Sequence, residues 1–136
     1  MQEMHDVSSR QTCERTLTFE VELPWPDKAL SPNARQHWAS LARAKKAYRA
    51  RCRAIGTQAG VGMLAGCASA VAVHLAFYAP DRRARDWDNL VASMKSGLDG
   101  LADAMGVDDS RWRLSFELDP EPVPGGVVAV SIKVTQ

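Results

Sequence analysis

Cysteine is scarce in this chain. Cys13, Cys52 and Cys67 are odd in number, far apart and form no Cys-x-x-Cys pair, so the spacing argues against zinc or dithiol redox chemistry and favours reduced thiols in a cytoplasm. Long apolar runs are missing too, and none approaches the length of a membrane span. The first fifteen residues carry Glu3, Asp6 and Glu14, unlike a secretory signal or a transit peptide. A disordered N-terminal extension is expected over 1–15, leaving one domain over 16–136. There is no glycine-rich phosphate loop, no Ser-His-Asp arrangement and no cysteine-nucleophile pattern. The most telling gap is in negative charge: from Lys28 to Pro80 there is no Asp or Glu, against eight Lys and Arg.

That gap is balanced further on. Asp81 to Glu121 holds ten acids and six bases, so the net charge of +1 averages a basic half with an acidic one. Two ordinary solvated surfaces would account for this. So would an enzyme that binds a polyanion beside a metal-holding pocket.

Four segments alternate apolar and polar residues with period two, as half-buried strands do. Their inward sets are Leu17, Phe19, Val21 and Leu23; Val71, Val73, Leu75 and Phe77; Trp112, Leu114, Phe116 and Leu118; and Val128, Val130, Ile132 and Val134. The turn residues at 120–126 predict an antiparallel hairpin between the last two. A helix is expected over 34–58, capped from Ser31-Pro32-Asn33, with Trp38, Leu41, Tyr48, Cys52 and Ile55 on one face and Arg35, Lys46, Arg49 and Arg53 on another. A second is expected over 89–105, with Asp88 as N-cap and Gly106 as stop. Leu90, Met94, Leu98, Leu101 and Met105 turn inward, while Gly97 and Gly100 permit close approach of another backbone. Gly60 to Gly66 reads as a loop. The order β-α-β-α-β-β predicts an α+β domain, a mixed sheet with helices packed on one face.

The residues that can do chemistry flank the second helix. Asp86 and Asp88 stand two apart, so in an extended segment they point the same way. Asp108 and Asp109 follow the helix's far end, where adjacent acids are disfavoured unless a cation compensates. A bound Mg²⁺ or Mn²⁺ would do so, as would Arg111 or Arg113. Some seventeen helical residues separate the pairs by roughly 25 Å. Either a two-fold dimer or loops folding back would bring them together. Lys95 lies on the same face as Asp88, in line with Asp99 and Asp103, suited to a scissile phosphate or to a surface salt-bridge ladder. Arg82, Arg83 and Arg85 lead into Asp86 and are expected to contact phosphate, with Arg35, Lys46, Arg49 and Arg53 next. His37 can reach a substrate, and His74 reads as structural.

In combination these pieces resemble the RusA family of Holliday junction resolvases. The matching segments are Leu23-Pro24-Trp25-Pro26, Asn33, the run from Pro80 through Arg82-Arg83-Ala84-Arg85-Asp86-Trp87-Asp88-Asn89-Leu90, Leu98-Asp99-Gly100-Leu101, and Gly106-Val107-Asp108-Asp109-Ser110. The resemblance covers residues 16–135 or so. It implies a RusA-like, homodimeric, Mg²⁺-dependent endonuclease domain over 16–136 that resolves four-way DNA junctions by paired nicks in recombination and repair. Asp86, Asp88 and Asp109 correspond to the family's metal-binding catalytic carboxylates, with Asp108 beside them. The family's catalytic lysine position is Ala92 here, and Lys95, nearly a turn later, is the expected substitute. Asp27-Lys28-Ala29-Leu30 also departs from the family pattern. Two rival readings stand beside this one: a non-catalytic junction- or duplex-binding protein, and a metal-dependent hydrolase of small phosphate esters.

Overall fold

The strand that comes last in the chain lies inside the sheet. In the computed structural model, which describes residues 16–35, 37–66 and 70–135, β1 (Thr16–Pro24), β4 (Val127–Thr135), β2 (Ala70–Tyr78) and β3 (Trp112–Asp119) lie side by side in that order. The expected extension over 1–15, with Cys13, and also Cys67, fall outside the described residues. Strand β4 runs antiparallel to both neighbours, so that Leu23 and Phe77 flank Val128. Strand β3 runs parallel to β2, with Leu75 opposite Phe116.

The predicted hairpin between β3 and β4 is therefore corrected: β2 lies between them. Their connection instead crosses the end of β2, where the Val123 N–H donates to the Ala79 carbonyl at 2.9 Å. Residues 120–126 do turn the chain, but a turn does not fix which strand its arms pair with. Period-two patterning fixes the faces of β1, β2 and β4, whereas on the edge strand β3 Leu114 and Leu118, expected inward, are 44% and 42% exposed. Val21 and Leu23, Val71 to Phe77 and Val128 to Val134 present their alternate apolar side chains to the core, while Glu20, Glu22, His74 and Ser131 occupy the other face. His74 lies 2.7 Å from Ser115 Oγ and 3.0 Å from Glu117 Oε1, the structural role expected of it.

Helices α1 (Trp38–Ala59), α2 (Trp87–Ser93) and α3 (Lys95–Met105) complete the fold as an α+β domain. Helix α1 begins later than predicted, because His37 rather than Ser31-Pro32-Asn33 supplies its cap: His37 Nδ1 accepts from the Ala39 N–H at 3.2 Å. Arg35 consequently lies before the helix. The predicted 89–105 helix starts two residues earlier and divides at Met94, whose N–H bonds back three residues to Val91 rather than continuing the four-residue ladder. Asp86, not Asp88, holds the N-cap position. The 60–66 loop contains a short 3₁₀ turn, Val61–Leu64, that buries both of its end residues.

Helices α1 and α3 touch through glycine. A Cβ at Gly100 would overlap the Arg49 carbonyl oxygen, and one at Gly97 would strike the Tyr48 ring. The other backbone foreseen is thus α1 of the same chain at Gly100, whereas Gly97 makes room for side chains of α1. Tyr48 lies across this contact and donates its hydroxyl to the Pro24 carbonyl at 2.7 Å, tying α1 to the end of β1. Burial raises its pKa and pushes that of the neighbouring Cys52 thiol up to about 11.

Candidate functional site

Arginine and aspartate build the loop from 81 to 86 together. The Asp81 carboxylate accepts from the Arg83 N–H at 3.0 Å and from Arg85 Nη2 at 2.9 Å, which lowers its pKa. Arg85 also donates to the carbonyls of Asp81 and Arg83, and lies 5.6 Å from the Trp25 ring. Arg85 is thus largely committed to holding the loop. Arg82 and Arg83 are more exposed, with Arg82 loosely facing Glu121 at 3.8 Å and Arg83 Nη2 lying 3.3 Å from Asp81 Oδ2.

This loop delivers Asp86 and Asp88 to the start of α2. Asp86 makes no side-chain cap bond; Asn89 Nδ2 approaches its Oδ2 at 3.4 Å. Asp88 sits in the first helical turn, and its Oδ1 accepts from the Asn89 N–H at 2.9 Å. The extended geometry foreseen for the pair is replaced by cap and first-turn positions, linked through Asn89. Both carboxylates are exposed, and neither forms an ion pair among the described residues. Asp86 opens onto a cleft of about 300 Å³ that Asp27 and Lys28 also line. Sequence reasoning had not placed those two in the site; their only signal was their departure from the family pattern.

The second group forms around Lys95, whose Nζ lies 2.6 Å from Asp109 Oδ2 and 2.9 Å from Asp99 Oδ1. These hydrogen bonds, first with Asp109 and then with Asp99, raise the lysine's pKa and keep it cationic. Asp108 caps the short 3₁₀ turn Asp109–Arg111, its Oδ1 accepting from the Ser110 N–H at 3.0 Å, which lowers its pKa. The predicted ladder from Lys95 to Asp103 stops at Asp99, because Asp103 takes a forked pair of bonds from Arg49 at 2.8 and 2.9 Å. Of the basic residues expected on α1, Arg49 is therefore tied down, whereas Arg35, Lys46 and Arg53 are exposed.

The structure thus unites Lys95 with Asp109 and links Asp86 with Asp88 through Asn89. Among the described residues, no three His, Cys, Asp or Glu stand close enough to hold one metal ion. Mg²⁺ needs fewer, since it keeps several waters and takes one or two carboxylates together with substrate phosphates. Asp86 and Asp88 fit that role as uncommitted hard-oxygen donors.

A groove of about 740 Å³ opens beside the Lys95 cluster. Leu30, Leu41, Val91, Leu98, Trp112 and Leu114 form its apolar wall, with Lys45, Lys95, Asp99 and Asp109 as its charged lining. Trp38, expected on one helical face with Leu41, Tyr48, Cys52 and Ile55, is 75% exposed. It shares the face of Leu41 and Lys45, three and seven residues on, but the helix overhangs the core at this end. Stripe periodicity identified the correct face; it carries no information about how far the core extends beneath it.

No family model matches the chain. A Xylella fastidiosa protein described as "Uncharacterized protein" is 37% identical over 113 residues, which are 82% of this chain and 74% of that one. Among the described residues no helix is long and apolar enough to cross a membrane.

Proposed function

This chain belongs to the same family as the Xylella fastidiosa protein, and we propose that it is a Mg²⁺-dependent endonuclease of the RusA type that nicks four-way DNA junctions. The observation carrying this reading is the pair of uncommitted carboxylates, Asp86 and Asp88, at the end of a loop that projects Arg82 and Arg83. Cations that can grip a phosphodiester backbone stand directly beside oxygens suited to a hard metal ion. When bound there, Mg²⁺ supplies an activated water and neutralises charge on the cleaved phosphate. The chain's own work is to hold the strand with Arg82, Arg83 and the exposed bases of α1, and to keep the cationic Lys95 beside Asp109.

A homodimer suits the divided acids. Strand β3 is an edge strand, and its Leu118 is 42% exposed. Antiparallel pairing of two β3 edges would set the partner's Trp112 end, just after Asp109, beside this chain's Asp119 end. The Arg82–Arg85 loop borders Asp119, and Trp87 stacks on Phe116 at 5.4 Å. One subunit's first acid pair would then face the other's second.

A second reading, a junction-binding protein without cutting activity, draws on the engagement of Asp109 by Lys95. Incubating a labelled four-way junction with and without Mg²⁺ separates the two. The nuclease gives symmetric nicks that need the metal. Tight binding with no nicks at any Mg²⁺ or Mn²⁺ concentration leaves the binding protein.

A further inference from the structure

The groove beside Lys95 is mostly apolar, and the apolar wall has no role in gripping a phosphate backbone. We infer that it receives an unstacked nucleobase from the branch point, with Trp38, about one helical turn before the groove-lining Leu41, stacking on a base beside it; this rests on branched DNA being the substrate.

Four observations carry the assignment. At about 740 Å³ the groove lies in the size range of small-ligand pockets, with mostly apolar walls and a few polar groups. Two wall residues, Ser96 and Trp112, carry polar atoms (Oγ and Nε1) that are sheltered from solvent and unpaired among the described residues. Buried polar atoms are normally satisfied; these two expose almost no surface, so a base edge meets them once the wall side chains turn outward. Lys45 lines the groove without an ion pair among the described residues, placing a cation where a nucleotide's phosphate would follow its base. Finally, Trp38, 75% exposed, extends the Leu41–Lys45 stripe one turn outward, on a helix that contains no acid. An aromatic ring on a basic surface is the pairing that single-stranded nucleic acid selects, because every base has a face to stack. An apolar protein segment would use the leucines equally well, but would leave Lys45 and the two unpaired atoms unanswered. A continuous duplex offers no free base, whereas a four-way branch has strand exchanges at which bases unstack at least cost.

The test compares binding of a labelled four-way junction with that of a linear duplex of matched sequence, both without divalent metal. Trp38→Ala is expected to weaken junction binding about 5- to 150-fold, the range measured for single base–aromatic stacks, while duplex binding stays within about twofold. Trp38→Phe should restore most of the loss. Ala92→Phe, which fills the groove from an exposed wall, should weaken junction binding selectively as well. Junction binding unchanged in Trp38→Ala, an equal loss on duplex, or full junction binding by Ala92→Phe would each overturn the inference. If the wild-type chain itself shows no preference for the junction, the functional reading falls first and takes this inference with it.

Discussion

Lys95 Nζ stands 2.6 Å from Asp109 Oδ2, fourteen positions further along the chain, and bridges the start of α3 to the turn after it. The lysine side chain is 64% exposed, so solvent screens the pair and its worth to folding is small, under about 1 kcal/mol. Asp109→Asn is accordingly expected to fold with near-wild-type stability in urea, to keep junction binding, and to lose nicking. A large loss of stability would mean that Asp109 is structural.

The divided acids make a sharper test possible. A double variant, Asp86→Asn with Asp88→Asn, and a second variant, Asp109→Asn, should each be inactive alone. If one subunit's Asp86 and Asp88 work with the partner's Asp109, mixed dimers contain one intact site, and nicking of a single strand returns on mixing. If each site lies within one chain, mixing restores nothing.

Helix α1 and helix α3 meet at Gly100, where no side chain fits against the Arg49 carbonyl. Backbone cannot yield as a flexible side chain does. Gly100→Ala is expected to cost about 1–3 kcal/mol or more despite alanine's better helix propensity, seen as a fall in Tm of several degrees. A rise in Tm would contradict the close approach.

Arg49 holds the Asp103 carboxyl below its usual pKa. A carboxyl depressed in the folded state adds stability above its unfolded pKa, about 3.9, and that stability fades as pH falls through the folded value. Asp103 is only partly covered, so the difference between wild type and Asp103→Asn should be about 0.5 kcal/mol at pH 7 and shrink toward zero below about pH 3. Urea titrations at the two pH values measure it. A gap that persists in acid would place the effect elsewhere.

Faces were more legible in the sequence than partners were. Alternation at Val128, Val130, Ile132 and Val134 announced both a strand and its buried side, and those four residues are fully sheltered. Nothing local to β4 says that it inserts between β1 and β2, because pairing is settled by residues about fifty or more positions away. Leu90, Met94, Leu98, Leu101 and Met105 were legible as one inward stripe, whereas the break at Met94 was not: the stripe's spacing survives a one-residue tightening of the turn. At the site, Asp86, Asp88, Lys95 and Asp109 stood out by type and spacing. Lys95's choice of Asp109 did not, since it depends on where the 3₁₀ turn sets that side chain down. Trp38 was misplaced for a simpler reason: a helix can be longer than the layer it covers.

Strand order carries a last consequence for how this protein is made. Among the described residues, strand β4 alone pairs with both β1 and β2, and its Thr135 lies opposite Thr16 at the other extreme of the described chain. During synthesis the early strands leave the ribosome with their hydrogen-bonding partner still untranslated. The helices, their glycine contact and the β2–β3 ladder have all their residues made before β4, whereas β1 gains its sheet partner when residues 127–135 follow.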